Sequence, residues 1–227
     1  MTADATITRA VVARMIDDTL LEPEATDEDV ARLAEEAGRL GVHAICISPS
    51  RVPLAPGVLA AGTAVAVVVG FPSGAHPMAV KVAEAAAAVA AGANEIDMVI
   101  DLGAAMDNRW TKATAEVAAV RAAIGPSVVL KAIIETALIG PDRIAPASLA
   151  AEAGGADFVK TSTGFHPAGG ATVQAVAAIA AAVGGRLGIK AAGGIRTADE
   201  ALAMIAAGAT RIGTSHTAAI LNGVHDE

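Results

Sequence analysis

Apolar and polar positions along the chain follow two alternating rhythms. Short runs rich in β-branched residues recur every about 20 to 35 residues, at 15–17, 44–47, 64–69, 95–100, 128–134, 157–161, 187–191 and 211–213. Each reads as a strand. Most are followed by Gly or Pro and then by an alanine-rich stretch of helical length. Capping residues mark helix starts at Thr26-Asp27-Glu28-Asp29 and Thr197-Ala198-Asp199-Glu200. The pattern Ala-Gly-Ala ends two helices, with Gly92 before the run at 95–100 and Gly208 before that at 211–213. Strands alternating with helices imply parallel pairing through right-handed crossovers. Eight such units closing on themselves predict an α/β fold of the (β/α)8 TIM-barrel type. An open doubly wound sheet would show fewer strands and a Gly-x-Gly-x-x-Gly turn after the first, which this chain lacks. No linker or charge run marks a boundary, so residues 1–227 are expected to form a single domain.

Composition changes this picture little. Hydrophobic residues make up 54%, but many are alanine, which favours tightly packed helices over a greasy surface. Aromatics are 2% and tyrosine is absent, so the core is aliphatic and no phenol is available for acid–base work. The span between Arg51 and Lys81 carries no charge, yet Pro53, Pro56, Gly57, Gly62, Gly70, Pro72, Gly74 and Pro77 prevent it from forming one membrane helix. The start, Met1-Thr2-Ala3-Asp4-Ala5-Thr6, lacks the basic and apolar regions of a signal peptide. A lone cysteine, Cys46, excludes an intramolecular disulfide framework and fits a reducing cytoplasm. The net charge of −8 argues against nucleic acid as a partner, and an anionic substrate would need a local positive site.

Charged residues inside the strand runs carry the chemical signal. Barrel strands alternate between the interior and the surrounding helices, and active sites of this fold lie at the strands' C-terminal ends. Lys160 lies near the end of 157–161, and Lys190 has the same expected placement one strand later. Asp97 sits among apolar neighbours, and Lys131 interrupts another apolar run. One such residue could be a lid group or half of an ion pair; several together suggest a constellation. Two ammoniums about 5 Å apart, at an effective dielectric near 20, repel by about 3 kcal/mol. That lowers one pKa by roughly two units before desolvation is considered. A free amine at neutral pH attacks carbonyls, while the lysine that stays charged polarises or protonates. An inward carboxylate such as Asp97 completes a proton relay. The sequence Gly193-Gly194-Ile195-Arg196-Thr197 then runs into a helix N-terminus, and Gly213-Thr214-Ser215 ends the last strand run. Loops after the seventh and eighth strands commonly hold phosphate in this fold, and a helix dipole would favour the anion.

The segments Ile96-Asp97-Met98-Val99-Ile100, Phe158-Val159-Lys160-Thr161-Ser162-Thr163-Gly164-Phe165 and Ile189-Lys190-Ala191-Ala192-Gly193-Gly194-Ile195-Arg196-Thr197 resemble the deoxyribose-phosphate aldolases. So do Asp17-Asp18-Thr19-Leu20-Leu21, Val68-Val69-Gly70-Phe71-Pro72 and Ile133-Ile134-Glu135-Thr136, and the similarity runs from about residue 15 to 221. The resemblance implies a class I aldolase with Lys160 as the Schiff-base lysine and Asp97 and Lys190 as proton-relay partners. It places Gly164, Gly193, Gly194 and Ser215 at the substrate phosphate, with Asp17 and Cys46 lining the pocket. The implied reaction is reversible cleavage of 2-deoxy-D-ribose 5-phosphate to D-glyceraldehyde 3-phosphate and acetaldehyde, with no metal and no organic cofactor. Partners are then small phosphorylated sugars and aldehydes, without nucleic acid or membrane; a homo-oligomer, dimer or higher, stays open. Many relatives carry histidine at Asp18, lysine at Glu22 and asparagine at Asp101, so this chain's mouth is expected to be more negative. Some place a second serine where His216 stands; His216 either replaces that donor or faces solvent. Cys46 reads as a small buried hydrophobe. Another phosphate-binding barrel, aldolase or isomerase, would share the glycine loops without needing Lys160 and Lys190 on adjacent strands. A barrel retired to a binding role would have lost Lys160, Lys190 or Asp97, and all three are present.

Overall fold

The computed structural model describes residues 7–224, in which eight parallel strands close into a barrel in sequence order. The segment 1–6, read above for a signal peptide, lies outside the described residues. The strands are β1 (Ile16–Leu20), β2 (Ala44–Ile47), β3 (Ala64–Val69), β4 (Glu95–Val99), β5 (Val129–Ile133), β6 (Phe158–Lys160), β7 (Gly188–Ala192) and β8 (Arg211–Thr214). β1 departs most from the pattern reading, running on past residue 17 to Leu20. Its polar residues conceal it. Asp18 and Thr19 nevertheless pair in register with Ile45 and Cys46, and Thr19 returns its hydroxyl to the Asp17 carbonyl at 2.9 Å.

The helices Asp27–Leu40, Met78–Ala90, Trp110–Ile124, Pro141–Ala153, Val173–Val183, Ala198–Ala206 and Thr217–Gly223 surround the barrel. Capping boxes form at both expected sites, Thr26 with Asp29 and Thr197 with Glu200. The exception to the alternation follows β2, where the prolines and glycines leave only the 3-10 turn Pro49–Arg51 before β3. No helix among the described residues is long and apolar enough to cross a membrane.

Strand alternation divides the core. Ile45, Ile47, Val67, Val69, Ile96 and Met98 share a buried cluster with helix residues such as Ala34, Ala37, Ala85 and Ala88. The small alanine side chains let helices approach the barrel closely. On the inner side, Cys46, Ala66 and Val68 form a small apolar cluster with Leu21, against which Phe71 packs. Much of the rest of the interior is charged, with the Phe158 ring packed against the Arg211 guanidinium.

Candidate active site

Register explains how the charges meet. Lys160 on β6 pairs with Lys190 on β7, which in turn pairs with Arg211 on β8. Three cations thus stand side by side, and the acids that balance them come from β1 and β4. Lys190 Nζ is 2.5 Å from Asp17 Oδ2 and 2.7 Å from Asp97 Oδ2; Lys160 Nζ lies 2.8 Å from that same Asp97 oxygen. Lys131 reaches Asp97 Oδ1 at 2.7 Å, Glu95 Oε2 at 2.5 Å and Asp17 Oδ2 at 3.2 Å. Arg211 joins Asp17 to Glu95 at 2.7 and 3.2 Å, and His43 meets Glu95 at 2.8 Å. Gly213 provides the room: a Cβ there would come within 2.9 Å of Lys190 Cε.

This lattice separates the lysines. Burial would lower the Lys190 pKa, but Asp17 and Asp97 carry it well above the ordinary value, and Lys131 is likewise raised by Asp17 and Asp97. For Lys160 burial prevails, opposed by Asp97 and reinforced by Lys190, so its pKa is lowered. Burial is therefore the larger cause and repulsion from Lys190 a contributing one, the reverse of the emphasis drawn from the sequence. Asp97 would be raised by burial, yet Lys131, Lys160 and Lys190 hold it well below the carboxylate range. Three carboxylates face four cations, and the sum is neutral when Lys160 gives up its proton.

Lys160 is the last residue of β6 and lines a cavity of about 270 Å³ at the C-terminal mouth. Lys190 is not placed alike. β7 continues two residues beyond it to Ala192, whose amide donates to Thr161 Oγ1 at 3.1 Å, and Lys190 is fully buried below the opening. Gly164, Gly193, Gly194, Ser215, Arg196 and His216 also line the cavity. Gly193 and Gly194 have φ of 90° and 83°, and a Cβ on Gly193 would meet the Gly164 and Gly170 Cα atoms at 3.1 Å. Glycine lets these backbones approach one another this closely. At the start of the following helix, two of the amides that the sequence offers to an anion are already engaged. Glu200 Oε2 accepts the amides of Arg196 and Thr197 at 2.7 and 3.0 Å.

The other named positions separate by depth. Asp17 and Cys46, expected to line the pocket, are both fully buried beneath it. Asp17 is a counter-ion in the lattice; Cys46 belongs to the apolar cluster, with Sγ 3.9 Å from Asp97 Oδ2 and its thiol pKa pushed up by burial. Of the three acidic departures, Glu22 lines the cavity, Asp18 is buried and accepts from Thr217 Oγ1 at 2.7 Å, and Asp101 caps the short helix Leu102–Met106 while pairing with Lys112 at 2.5 Å. Only Glu22 makes the mouth itself more negative. His216 stands at the cavity wall with Nδ1 3.2 Å from Ser215 Oγ. Glu95 and Arg211 were not picked out from the sequence, and Lys131, conspicuous in its apolar run, was given no role there; the available signal for Glu95 was its spacing of two from Asp97 on β4. Among the described residues no group of three or more His, Cys, Asp or Glu is disposed to hold a metal ion. An amine of lowered pKa that opens to a cavity beside a retained ammonium can form an imine with a carbonyl.

A sequence profile described as DeoC/LacD family aldolase matches residues 11–224. The deoxyribose-phosphate aldolase of Kocuria rhizophila is 57% identical over 218 residues, covering 96% of this chain and 99% of that protein. That of Mycobacterium avium is 58% identical over 223 residues, with coverage of 96% and 99%. Among solved structures, a deoxyribose phosphate aldolase from Aeropyrum pernix, described as tetrameric, superposes with a TM-score of 0.85 at 34% identity, covering 95% of this chain and 91% of that one.

Proposed function

The chain belongs to the DeoC/LacD aldolase family, and from that premise we propose that Lys160 is the amine that traps the substrate carbonyl. The reaction is the reversible class I cleavage of 2-deoxy-D-ribose 5-phosphate to D-glyceraldehyde 3-phosphate and acetaldehyde. One observation carries the assignment of the amine. Of the three lysines around Asp97, Lys160 alone lines the cavity and alone has its pKa lowered.

The steps follow from the residues. Neutral Lys160 adds to C1 of the open-chain sugar, and loss of water leaves a protonated imine. Removing the C3 hydroxyl proton breaks the C2–C3 bond. The electron pair moves into C1–C2 as an enamine, and C3 departs as the aldehyde of D-glyceraldehyde 3-phosphate. Protonation at C2 and addition of water release acetaldehyde and restore the amine. Lys190, retained as an ammonium, and Asp97, which shares one oxygen between both lysines, form the proton relay. Gly164, Gly193, Gly194 and Ser215 hold the phosphate through loop amides and a hydroxyl.

The decisive experiment is reduction with borohydride in the presence of acetaldehyde, followed by peptide mapping. A two-carbon adduct on Lys160 is expected. An adduct on Lys190 or Lys131 reassigns the nucleophile, and no adduct ends the Schiff-base reading. With charge-assisted hydrogen bonds worth about 1.5–3 kcal/mol each, the loss of two contacts implies at least about a hundredfold kcat/KM preference for the 5-phosphate over 2-deoxyribose. The same reading takes residues 1–227 as one domain and locates the chain in the cytoplasm, with its lone Cys46 in support. It excludes nucleic acid on the acidic net charge of −8. Self-association is supported by the tetrameric relative from Aeropyrum pernix.

A further inference from the structure

Glu135 is fully buried at the end of β5, with φ 52° and ψ 62°. Among the described residues, only Asn108 is another non-glycine residue at positive φ, and asparagine tolerates that region well. Glutamate does not, and glycine would hold the same turn with less strain. The side chain is therefore the part of Glu135 that matters. It reaches across to the next strand's loop, where Oε2 accepts from Thr163 Oγ1 at 2.6 Å and both carboxylate oxygens lie 3.3 Å from the Thr163 amide. Thr163 Oγ1 in turn accepts from the Phe165 amide at 3.1 Å. Thr163, Gly164 and Phe165 all line the cavity, and Gly164 packs against Gly193. One carboxylate thus ties the end of β5 to the loop that turns over Lys160 and presents Gly164 beside the second glycine loop.

We propose that Glu135 is a positioning residue that sets the Thr163-Gly164-Phe165 loop for the phosphate of the substrate; this rests on the phosphate reading above. Glu135 acts through Thr163 and touches no reacting atom. Its loss leaves Lys160 in its lattice and loosens the anion grip, so the effect falls on the phosphorylated substrate.

The test compares kcat/KM for 2-deoxyribose 5-phosphate and for 2-deoxyribose in the wild type and three variants. Glu135→Gly removes the carboxylate and keeps the backbone turn. It is expected to lower the phosphate preference by about tenfold or more, mainly through KM for the phosphorylated sugar. Imine trapping at Lys160 with acetaldehyde is expected to continue. Thr163→Val removes the same hydroxyl link from the other side and is expected to give the same loss. Glu135→Gln keeps an acceptor and is expected to fall between wild type and Glu135→Gly; should Glu135→Gly fail to fold, Thr163→Val and Glu135→Gln still decide the matter. A preference unchanged in the folded variants, whatever their melting temperatures, overturns the inference, as does an equal loss on both substrates. A wild type without preference removes the phosphate site and this inference together. A wild-type preference that survives every variant removes the inference alone.

Discussion

Charge is buried in two places in this molecule, inside the barrel and in the layer between barrel and helices, and the two are built differently. Inside, most charged groups have two or more opposite partners: Lys131 has three carboxylates, and Asp97 has three lysines. In the outer layer the partners are few. Lys81 is fully buried, with Glu116 Oε1 and the Val99 carbonyl each at 2.8 Å, and burial lowers its pKa as it does that of Lys160. Asp18, the neighbour of Asp17 on β1, has a hydroxyl where Asp17 has three cations. Burial pushes Asp18 up to about 6, while the cations around Asp17 overcome its burial and hold it far below the carboxylate range. Adjacent residues on opposite faces of one strand thus have opposite shifts. A buried lysine of lowered pKa is not by itself a nucleophile; Lys81 faces no opening, whereas Lys160 lines one.

The largest expected effect breaks the comparison at Lys160. Lys160→Met should lower aldolase activity by about 10⁴-fold or more. Its melting temperature should stay within a few degrees of wild type, because Asp97 keeps Lys131 and Lys190 as partners when Lys160 is lost. A collapse in stability would show instead that Lys160 is a structural cation. Next comes Lys131→Met, which leaves Asp17, Glu95 and Asp97 short of a shared cation. Removing one partner from a buried ion network costs about 3–5 kcal/mol, measurable by denaturant titration. A loss below 1 kcal/mol would mean that the lattice is far more hydrated than its geometry indicates.

Lys190→Leu sharpens the electrostatic side. The ammonium that repels Lys160 is gone while the attraction of Asp97 remains, so the Lys160 pKa rises. The acidic limb of imine formation should move to higher pH by about one unit, with some stability lost through Asp17 and Asp97. Reduced stability with an unmoved limb would leave Lys190 a purely structural partner. The last effect lies in the outer layer. The folded chain keeps the Asp18 proton up to about pH 6, whereas the unfolded chain releases it near the ordinary value of 3.8, so wild-type stability falls as pH rises through that window. Asp18→Asn removes the penalty. It should stabilise the fold by up to about 3 kcal/mol at pH 8 and by nothing measurable below about pH 4. An equal gain at both pH values would place its cause outside ionisation.

Periodicity in the chain was enough to predict eight strands in order, and with them the barrel, because burying alternate faces leaves a local imprint of β-branched runs between glycines and alanine-rich helices. It also determined that Lys160, Lys190 and Asp97 stand at unusual positions, since a charge within an apolar run is visible without coordinates. The full length of β1 was not legible, because Asp18 and Thr19 have strand geometry and polar side chains. Tertiary structure alone separated the lysines electrostatically. Lys131, Lys160 and Lys190 are the same residue type in similar runs, and their pKa values separate through the number of carboxylates each reaches across the barrel, a property of strand register. The same closure set Asp17 and Cys46 beneath the pocket, gave the Arg196 and Thr197 amides to Glu200, and brought Glu135 to Thr163. Such pairings join distant parts of the chain through space, and a linear pattern carries no record of distance.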